Sequence, residues 1–139
     1  MEKAKNIAVN IIAIAAVCLL LIWGETCWRQ RVQFAKGEAA LARMNYIEAI
    51  DGYAAAIHMY TPGSSLVQKS AVRIWSIGDC LERAGDSVLA LVAYRALRSS
   101  FYAAKGLYTP GKEWISRCDE KIASLVKLKA GSRALSPPP

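Results

Sequence analysis

The sequence predicts an all-α protein, with an N-terminal transmembrane helix, a small domain of helical hairpins and a C-terminal capping helix. An uncharged apolar run from Ile7 to Trp23 indicates the first part. Small, aromatic and aliphatic residues at helical spacing indicate the second, and short breaks containing Gly, Pro and Asp separate the helical segments. We therefore expect an anchor segment at 1–28, a helical domain at 29–128 and a flexible, basic, Pro-rich tail at 129–139.

The composition limits the size of the folded part. Of the 139 residues, 54% are apolar, and most of the excess lies in the first 23 residues. The remainder has an ordinary composition for a compact helical domain, and a domain of this size buries only about two-thirds of its unfolded surface. We therefore expect the hairpins to be completed by a capping helix, by the membrane or by a partner protein.

The apolar run is long enough to cross a bilayer. A spanning helix needs about 20 residues, and the flank up to Trp28 completes this length, with Trp23 and Trp28 placed for a headgroup boundary. A cleaved signal peptide is the alternative. It would have a shorter apolar region and a small-residue cleavage site, whereas this run ends in WGETCW. We expect an uncleaved signal anchor over 7–28.

The basic residues on the two sides of the anchor favour opposite orientations. Lys3 and Lys5 favour an N-terminus inside the cell, and Arg29, Arg31 and Lys36 favour the reverse. Single-span bacterial proteins with a basic N-terminus usually export the C-terminal domain. We therefore expect a single-pass protein of the bacterial inner membrane with its C-terminal domain exported.

Five helical segments are expected in total. They are the anchor helix continued to Arg43, a helix from Asn45 to about Tyr60, a helix ending at Gly85, a helix from Asp86 to about Gly106 and a last helix over 113–128. Two patterns suggest where helices begin: a capping box formed by Ser65 and Gln68, and the string YTPG at Tyr60 and at Tyr108, where Thr would cap a helix and Pro would occupy its first turn.

The packing residues of the last two helices follow from their spacing. In the helix after Asp86 we expect packing by Leu89, Val92, Ala93, Ala96 and Phe101. In the last helix one stripe is apolar and comprises Ile115, Cys118, Ile122 and Leu125. An apolar side toward the last hairpin and a charged side toward water is what a capping helix requires.

One arrangement of small and aromatic residues occurs twice, 41 positions apart. The residues are Gly37, Ala49, Tyr53 and Ala56 in the first copy and Gly78, Ala90 and Tyr94 in the second. A small residue in one helix, a short turn and then small and aromatic residues on one face of the next helix indicate two antiparallel helices in close contact. We expect Gly37 and Gly78 to mark these contacts.

This pattern resembles the tetratricopeptide repeat, a 34-residue helix–turn–helix unit, over about residues 30–98. The Gly-Asp turn at Gly85 is one that these repeats favour. The chain departs from the family at Leu97, where a small residue is usual, at Ala40, where an aromatic residue is usual, and by seven extra residues within about 62–69. A generic pair of helical hairpins is the alternative. The resemblance implies that the first helix of each hairpin (the A helix) lines a concave, partner-binding side and the second (the B helix) much of the convex side.

No catalytic or cofactor-binding motif occurs in the sequence. It contains no nucleophile elbow, P-loop or paired-carboxylate motif, and neither the four cysteines nor His58 has the spacing of metal ligands. We therefore expect no enzyme activity, no cofactor, no metal and no small-molecule substrate. Cys80 and Cys118 are expected to pack as small hydrophobes, with a disulfide as the alternative in an oxidising compartment.

The net charge of +7 is carried by single basic residues spread beyond the anchor. They form no run, and they lack the aromatic interleaving of a nucleic-acid surface, so we expect no nucleic-acid partner. A solvated surface is one interpretation. Attraction to anionic lipid headgroups or to an acidic partner is the other.

These observations together predict a protein–protein interaction module. We expect a membrane-anchored scaffold or accessory subunit that binds other protein subunits through its A helices, around Arg29–Arg43 and Val67–Leu81, rather than through its tail. Trp and Arg often dominate binding energy, so Arg73 and Trp75 are the candidate partner-binding residues, with a core position as the alternative for Trp75. The alternative function is an integral structural subunit of an ion-driven motor, a secretion system or an electron-transfer assembly.

Overall fold

The structure is a computed structural model that describes residues 2–60, 64–104 and 110–134. Every regular element in these ranges is an α-helix, as the sequence predicts. The helices are α1 (Glu2–Ala42), α2 (Tyr46–His58), α3 (Ser65–Arg83), α4 (Ser87–Ala103) and α5 (Lys112–Ala134).

Helix α1 joins the apolar run to the folded domain without a break. It is one helix of 41 residues, and the side chains from Ile7 to Trp23 are all exposed. By length and composition it is the one candidate membrane span among the described residues, a criterion that a signal sequence near an N-terminus also meets. Gln30 is the first buried residue along α1, so the domain begins two residues after Trp28.

The five helices form two layers. Helices α1, α3 and α5 are the A helices, α2 and α4 are the B helices, and each helix packs against the next along the chain. The core contains aliphatic and aromatic side chains from all five helices, and its largest fully buried members are Tyr53, Tyr94, Phe101, Ile50, Ile57, Ile74, Leu97 and Leu125. Helix α5 covers the open side of α4, as expected for a capping helix.

The two A-to-B turns have the same geometry, which explains where the hairpins bend. The backbone N–H of Asn45 and that of Asp86 each donate to the carbonyl five residues earlier, at 3.0 and 2.9 Å, and the preceding residues Met44 and Gly85 have φ of 57° and 84°. This is the Schellman ending of a helix. The side chains of Asn45 and Asp86 then accept a hydrogen bond from the N–H three residues on, so both residues cap the B helices, at the positions where the sequence predicts these helices to start.

The predicted cap at Ser65 and the predicted place of Pro110 in the first turn of a helix are wrong. Ser64, not Ser65, caps α3, and its Oγ accepts a hydrogen bond from the N–H of Leu66 at 3.3 Å. Helix α5 begins at Lys112, beyond Pro110, so this proline precedes the helix and does not occupy its first turn. The other proline of these strings, and both threonines, lie outside the described residues.

Three helix ends and one packing residue differ from expectation. Helix α2 ends at His58 and α4 at Ala103, both earlier than predicted, whereas α5 continues to Ala134, so the first part of the expected tail is helical. Residues 135–139 lie outside the described ranges. Val92 is 42% exposed rather than packed, because the buried face of α4 follows Ala90, Ala93, Tyr94, Leu97 and Phe101, and Val92 lies about 100° away from its neighbour Ala93 on this face.

Candidate functional site

The seven residues predicted to pack the repeats lie in the hairpin interfaces. The ring of Tyr53 covers Gly37 so closely that a Cβ on this glycine would be 2.8 Å from it, and the ring of Tyr94 covers Gly78 with a corresponding distance of 2.9 Å. The alanines at positions 49, 56 and 90 are fully buried. The predicted close contacts of A and B helices are therefore present in both hairpins.

The hydroxyl of Tyr53 belongs to a polar network that joins α1, α2 and α3. It donates a hydrogen bond to Oε1 of Glu38 at 2.6 Å. The same carboxylate is paired with Arg73, whose Nε lies 2.8 Å from Oε1 and whose Nη2 donates to Oε2 at 3.0 Å. Burial, and then the hydrogen bond to Glu38, raises the pKa of Tyr53, so this phenol keeps its proton at physiological pH.

The second hairpin repeats this network with a different cation. Tyr94 donates to Oε2 of Glu82 at 2.9 Å, and Nζ of Lys121 lies 2.8 Å from the same carboxylate. Burial and the hydrogen bond to Glu82 raise the pKa of Tyr94 in the same way. In both hairpins a B-helix tyrosine thus binds an A-helix glutamate, and a cation from the next A helix neutralises it.

Arg73 lies at the surface between α1 and α3, where the sequence places a partner-binding residue. Its side chain remains 48% exposed although it is paired with Glu38. Beside it is an open cavity of about 480 Å³. The residues that line this cavity are Phe34 of α1 and Gln68, Lys69, Val72, Arg73 and Ser76 of α3, and we call it the α1–α3 groove.

The α1–α3 groove combines apolar and cationic groups. Phe34 is partly buried against the core, and Val72 is 45% exposed. Lys69 is exposed and makes no ion pair in the part of the chain that the structure describes, and Arg73 presents the unshared side of its guanidinium. A segment with apolar and acidic side chains is complementary to this surface.

Trp75 lies elsewhere, inside an aromatic cluster that α5 completes. Its ring centroid is 5.0 Å from that of Tyr94 and 5.9 Å from that of Trp114, and the guanidinium of Arg117 lies 4.5 Å from the ring centroid of Trp75. Trp75 is partly buried and packs against the core, as the alternative interpretation expects. The structure does not bring Arg73 and Trp75 to one site, because residues two apart on a helix point about 200° apart.

Sequence reasoning missed Phe34, although the spacing contains a signal for it. Phe34 precedes Trp75 by the same 41 positions that separate the two glycines, and its ring packs 5.4 Å from that of Tyr53, as Trp75 packs on Tyr94. In the second hairpin Trp114 covers the aromatic ring. In the first hairpin the residue equivalent to Trp114 is Arg73, 41 positions earlier. Arg73 lies beside Phe34 in the lining of the groove, so Phe34 remains accessible from the groove.

The cysteines are all free, and the two in the domain differ in exposure. Cys118 is fully buried, as the packing interpretation requires, and burial raises its pKa to about 12. Cys80 is exposed, which contradicts the expectation that it packs against an apolar face. Among the described residues no group of three His, Cys, Asp or Glu side chains lies close enough together to hold a metal ion.

Comparisons with protein-family models, with curated proteins and with solved structures found no match to this chain.

Proposed function

We propose that this protein is a membrane-anchored interaction module, a scaffold or accessory subunit that holds a partner protein in the α1–α3 groove. The observation that carries the proposal is the position of this groove. It is lined by α1, the helix that also carries the apolar run, so a partner bound there is held at a defined distance from the membrane. The chain would act by binding and not by catalysis.

The repeated geometry supports the resemblance to tetratricopeptide repeats. Glycine, tyrosine, turn and cap recur at a spacing of 41 residues, and the A helices present the open surface that such repeats use for peptides. On this proposal the partner contributes a segment in which apolar side chains contact Phe34 and Val72, and carboxylates approach Lys69 and Arg73.

The proposed setting is the bacterial inner membrane, with residues 7–28 as a single uncleaved span and the C-terminal domain exported. Cys80 offers a test of the orientation because it is exposed whereas Cys118 is buried. A membrane-impermeant maleimide should label Cys80 in cells whose outer membrane alone is permeabilised. Labelling that requires disruption of the inner membrane would place the domain in the cytoplasm.

The groove can be tested by photo-crosslinking from two matched positions. Val72 in the groove and Val92 on α4 have similar exposure, 45% and 42%. A photoreactive amino acid at position 72, in the full chain in its native membrane, should give a discrete adduct with a partner protein. The same residue at position 92 should not. Lys69→Glu should reduce the adduct from position 72, and Arg95→Glu on α4 is the control.

Equal adducts from both positions, or adducts from position 92 alone, would contradict binding in the groove. Purification in mild detergent then separates the two candidate functions. A scaffold should dissociate from its partner at low protein concentration. Co-migration with other membrane subunits in fixed stoichiometry, without a crosslink from the groove, would favour the integral structural subunit.

A further inference from the structure

The distance between the apolar run and the domain is short and set by a single helix. Trp23 ends the run, and Gln30 is the first buried residue of α1. At 1.5 Å per residue these seven steps correspond to about 10 Å along the axis. The headgroup layer on each side of the hydrocarbon core is about 5–8 Å thick, so the domain begins at the outer edge of the headgroups.

Gln30 fixes the end of the first hairpin that lies nearest the apolar run, which we call its lower end. Its Nε2 donates to the carbonyls of Ala56 and Met59, at 2.9 and 3.1 Å, and its Oε1 accepts a hydrogen bond from Ser64 at 2.6 Å. The end of α2 and the start of α3 are therefore fixed beside the first turn of α1 that enters the domain. This end of the domain faces the bilayer wherever the apolar run spans it.

The part of α1 just beyond the apolar run carries unpaired cations. Arg29 and Arg31, six and eight residues beyond Trp23, are exposed and take part in no ion pair among the described residues. We call them the basal cations. Glu25 is the one acid between the apolar run and Gly37. Elsewhere in the domain, acids are matched by cations: the pairs are Arg73–Glu38, Arg43–Glu48, Arg83–Asp79, Arg98–Asp119 and Lys121–Glu82.

We propose that the basal cations bind the phosphates of an anionic lipid leaflet and so hold the domain upright on the membrane. The proposal rests on the membrane span of the proposed function. Unpaired cations next to a span lie within the reach of headgroup phosphates, and an anionic surface attracts each of them with an energy equivalent to roughly a fivefold increase in association. An upright domain presents the α1–α3 groove parallel to the membrane normal.

The test measures which lipids surround the full chain. The protein is reconstituted in phosphatidylcholine vesicles that contain a minority of phosphatidylglycerol, and the immobilised fraction of spin-labelled phosphatidylglycerol is compared with that of spin-labelled phosphatidylcholine. We expect the anionic lipid to be favoured by at least about fivefold. The preference should fall when added salt shortens the Debye length from about 10 Å to about 3 Å.

Two variants that lower the net charge equally provide the comparison. Arg29→Gln/Arg31→Gln should reduce the lipid preference to near unity. Arg95→Gln/Lys127→Gln removes two exposed cations from α4 and α5 and should leave it unchanged. Lys69 is kept in both because it lines the groove.

Equal association of the two lipids with the unmodified chain, or an equal loss in both variants, would overturn the proposal. So would a basal variant that keeps its lipid preference and instead loses its protein adduct from position 72, since the basal cations would then serve an acidic partner. Release of the chain from vesicles by alkaline extraction is a separate result. It would refute the span itself and with it the proposed membrane anchorage.

Discussion

At the scale of the residue, the domain depends on two places where a ring lies directly on a backbone. Tyr53 and Tyr94 are fully buried, their hydroxyls are bound to glutamates, and their rings leave no room for a side chain at Gly37 or Gly78. Since each ring is held at both ends, it cannot move aside to admit a larger residue. The glycines are therefore required by the packing, although neither has the positive φ that usually explains a glycine.

A leucine at position 78 tests this contact. Gly78→Leu should lower the free energy of unfolding by about 1–3 kcal/mol through overpacking against Tyr94, measured by urea denaturation of the detergent-solubilised chain. Gly131→Leu is the matched control, because a Cβ at Gly131 would meet no atom within 4 Å. Equal stability of the Gly78→Leu variant and the unmodified protein would contradict the alignment of the two hairpins.

Truncation of Trp75 separates a core role from a binding role. Trp75→Ala should lower the free energy of unfolding by about 3 kcal/mol, because it removes the ring between Tyr94 and Trp114. Trp28→Ala should leave the domain unchanged, since Trp28 is 65% exposed and precedes the domain. If Trp75→Ala instead keeps its melting temperature and loses partner capture, Trp75 is a binding residue after all.

At the scale of the element, the turns and the lower end of the first hairpin decide how the helices are held. The two A-to-B turns are equivalent, but one uses glycine at the left-handed position and the other uses methionine. A left-handed residue with a Cβ costs about 1–2 kcal/mol, so the first turn carries strain that the second does not. Gln30 has the opposite effect, because it satisfies carbonyls at the end of α2 that the helix itself leaves unpaired.

Replacement of Met44 should relieve the strain in the first turn. Met44→Gly is expected to raise the free energy of unfolding by about 1 kcal/mol, measured by thermal denaturation. In the second turn Gly85→Ala should lower it by a similar amount, and this change is purely conformational because a Cβ at Gly85 meets nothing within 4 Å. A loss of stability in Met44→Gly would mean that the side chain of Met44, which is 70% exposed, stabilises the turn.

Removal of the Gln30 amide should loosen the lower end of the first hairpin. Gln30→Leu leaves the carbonyls of Ala56 and Met59 without this donor. We therefore expect the free energy of unfolding to fall by about 1–3 kcal/mol, and hydrogen exchange to become faster at the end of α2 and the start of α3. Gln33→Leu, one turn on, is the control, since Gln33 is only partly buried. Unchanged exchange in Gln30→Leu would show that the loop is held by other contacts.

At the scale of the whole molecule, one long helix couples the apolar run to every proposed role of the domain. The partner groove lies along α1, and the basal cations lie between the run and the groove. Both proposals therefore depend on retention of the run in the mature protein. A cleaved signal sequence would release a domain without an anchor and would remove the lipid contact.

Intact-mass measurement of the protein purified from membranes decides this point. We expect residues 1–28 to be retained, because the apolar run ends in WGETCW without a small-residue cleavage site. Loss of the first twenty or so residues would contradict the anchor. A synthetic cleavage site placed after Trp23 provides the control, since processing there should yield a soluble domain.

Features that depend on neighbours along the chain could be predicted from the sequence. The five helices, the helix starts at Asn45 and Asp86, the contacts of Gly37 with Tyr53 and of Gly78 with Tyr94 and the apolar stripe of α5 all follow from local spacing and turn chemistry, because helix geometry fixes which residues share a face. Helix ends were less accurate, as at Ser64 and Ala134, since several polar residues near each end can cap or continue a helix.

The tertiary structure alone decided which aromatic side chains of the A helices are covered by a further helix and which border an open groove. Trp75 and Phe34 occupy equivalent positions and are both partly buried. Trp114 of α5 packs on Trp75, whereas Phe34 borders the α1–α3 groove beside Arg73. The contacts of Gln30 could not be predicted from the sequence either. Two of its hydrogen-bond partners are backbone carbonyls, which every residue has, so no residue type marks them. Contacts between segments that are distant in the chain depend on how the helices stack, and local spacing does not contain that information.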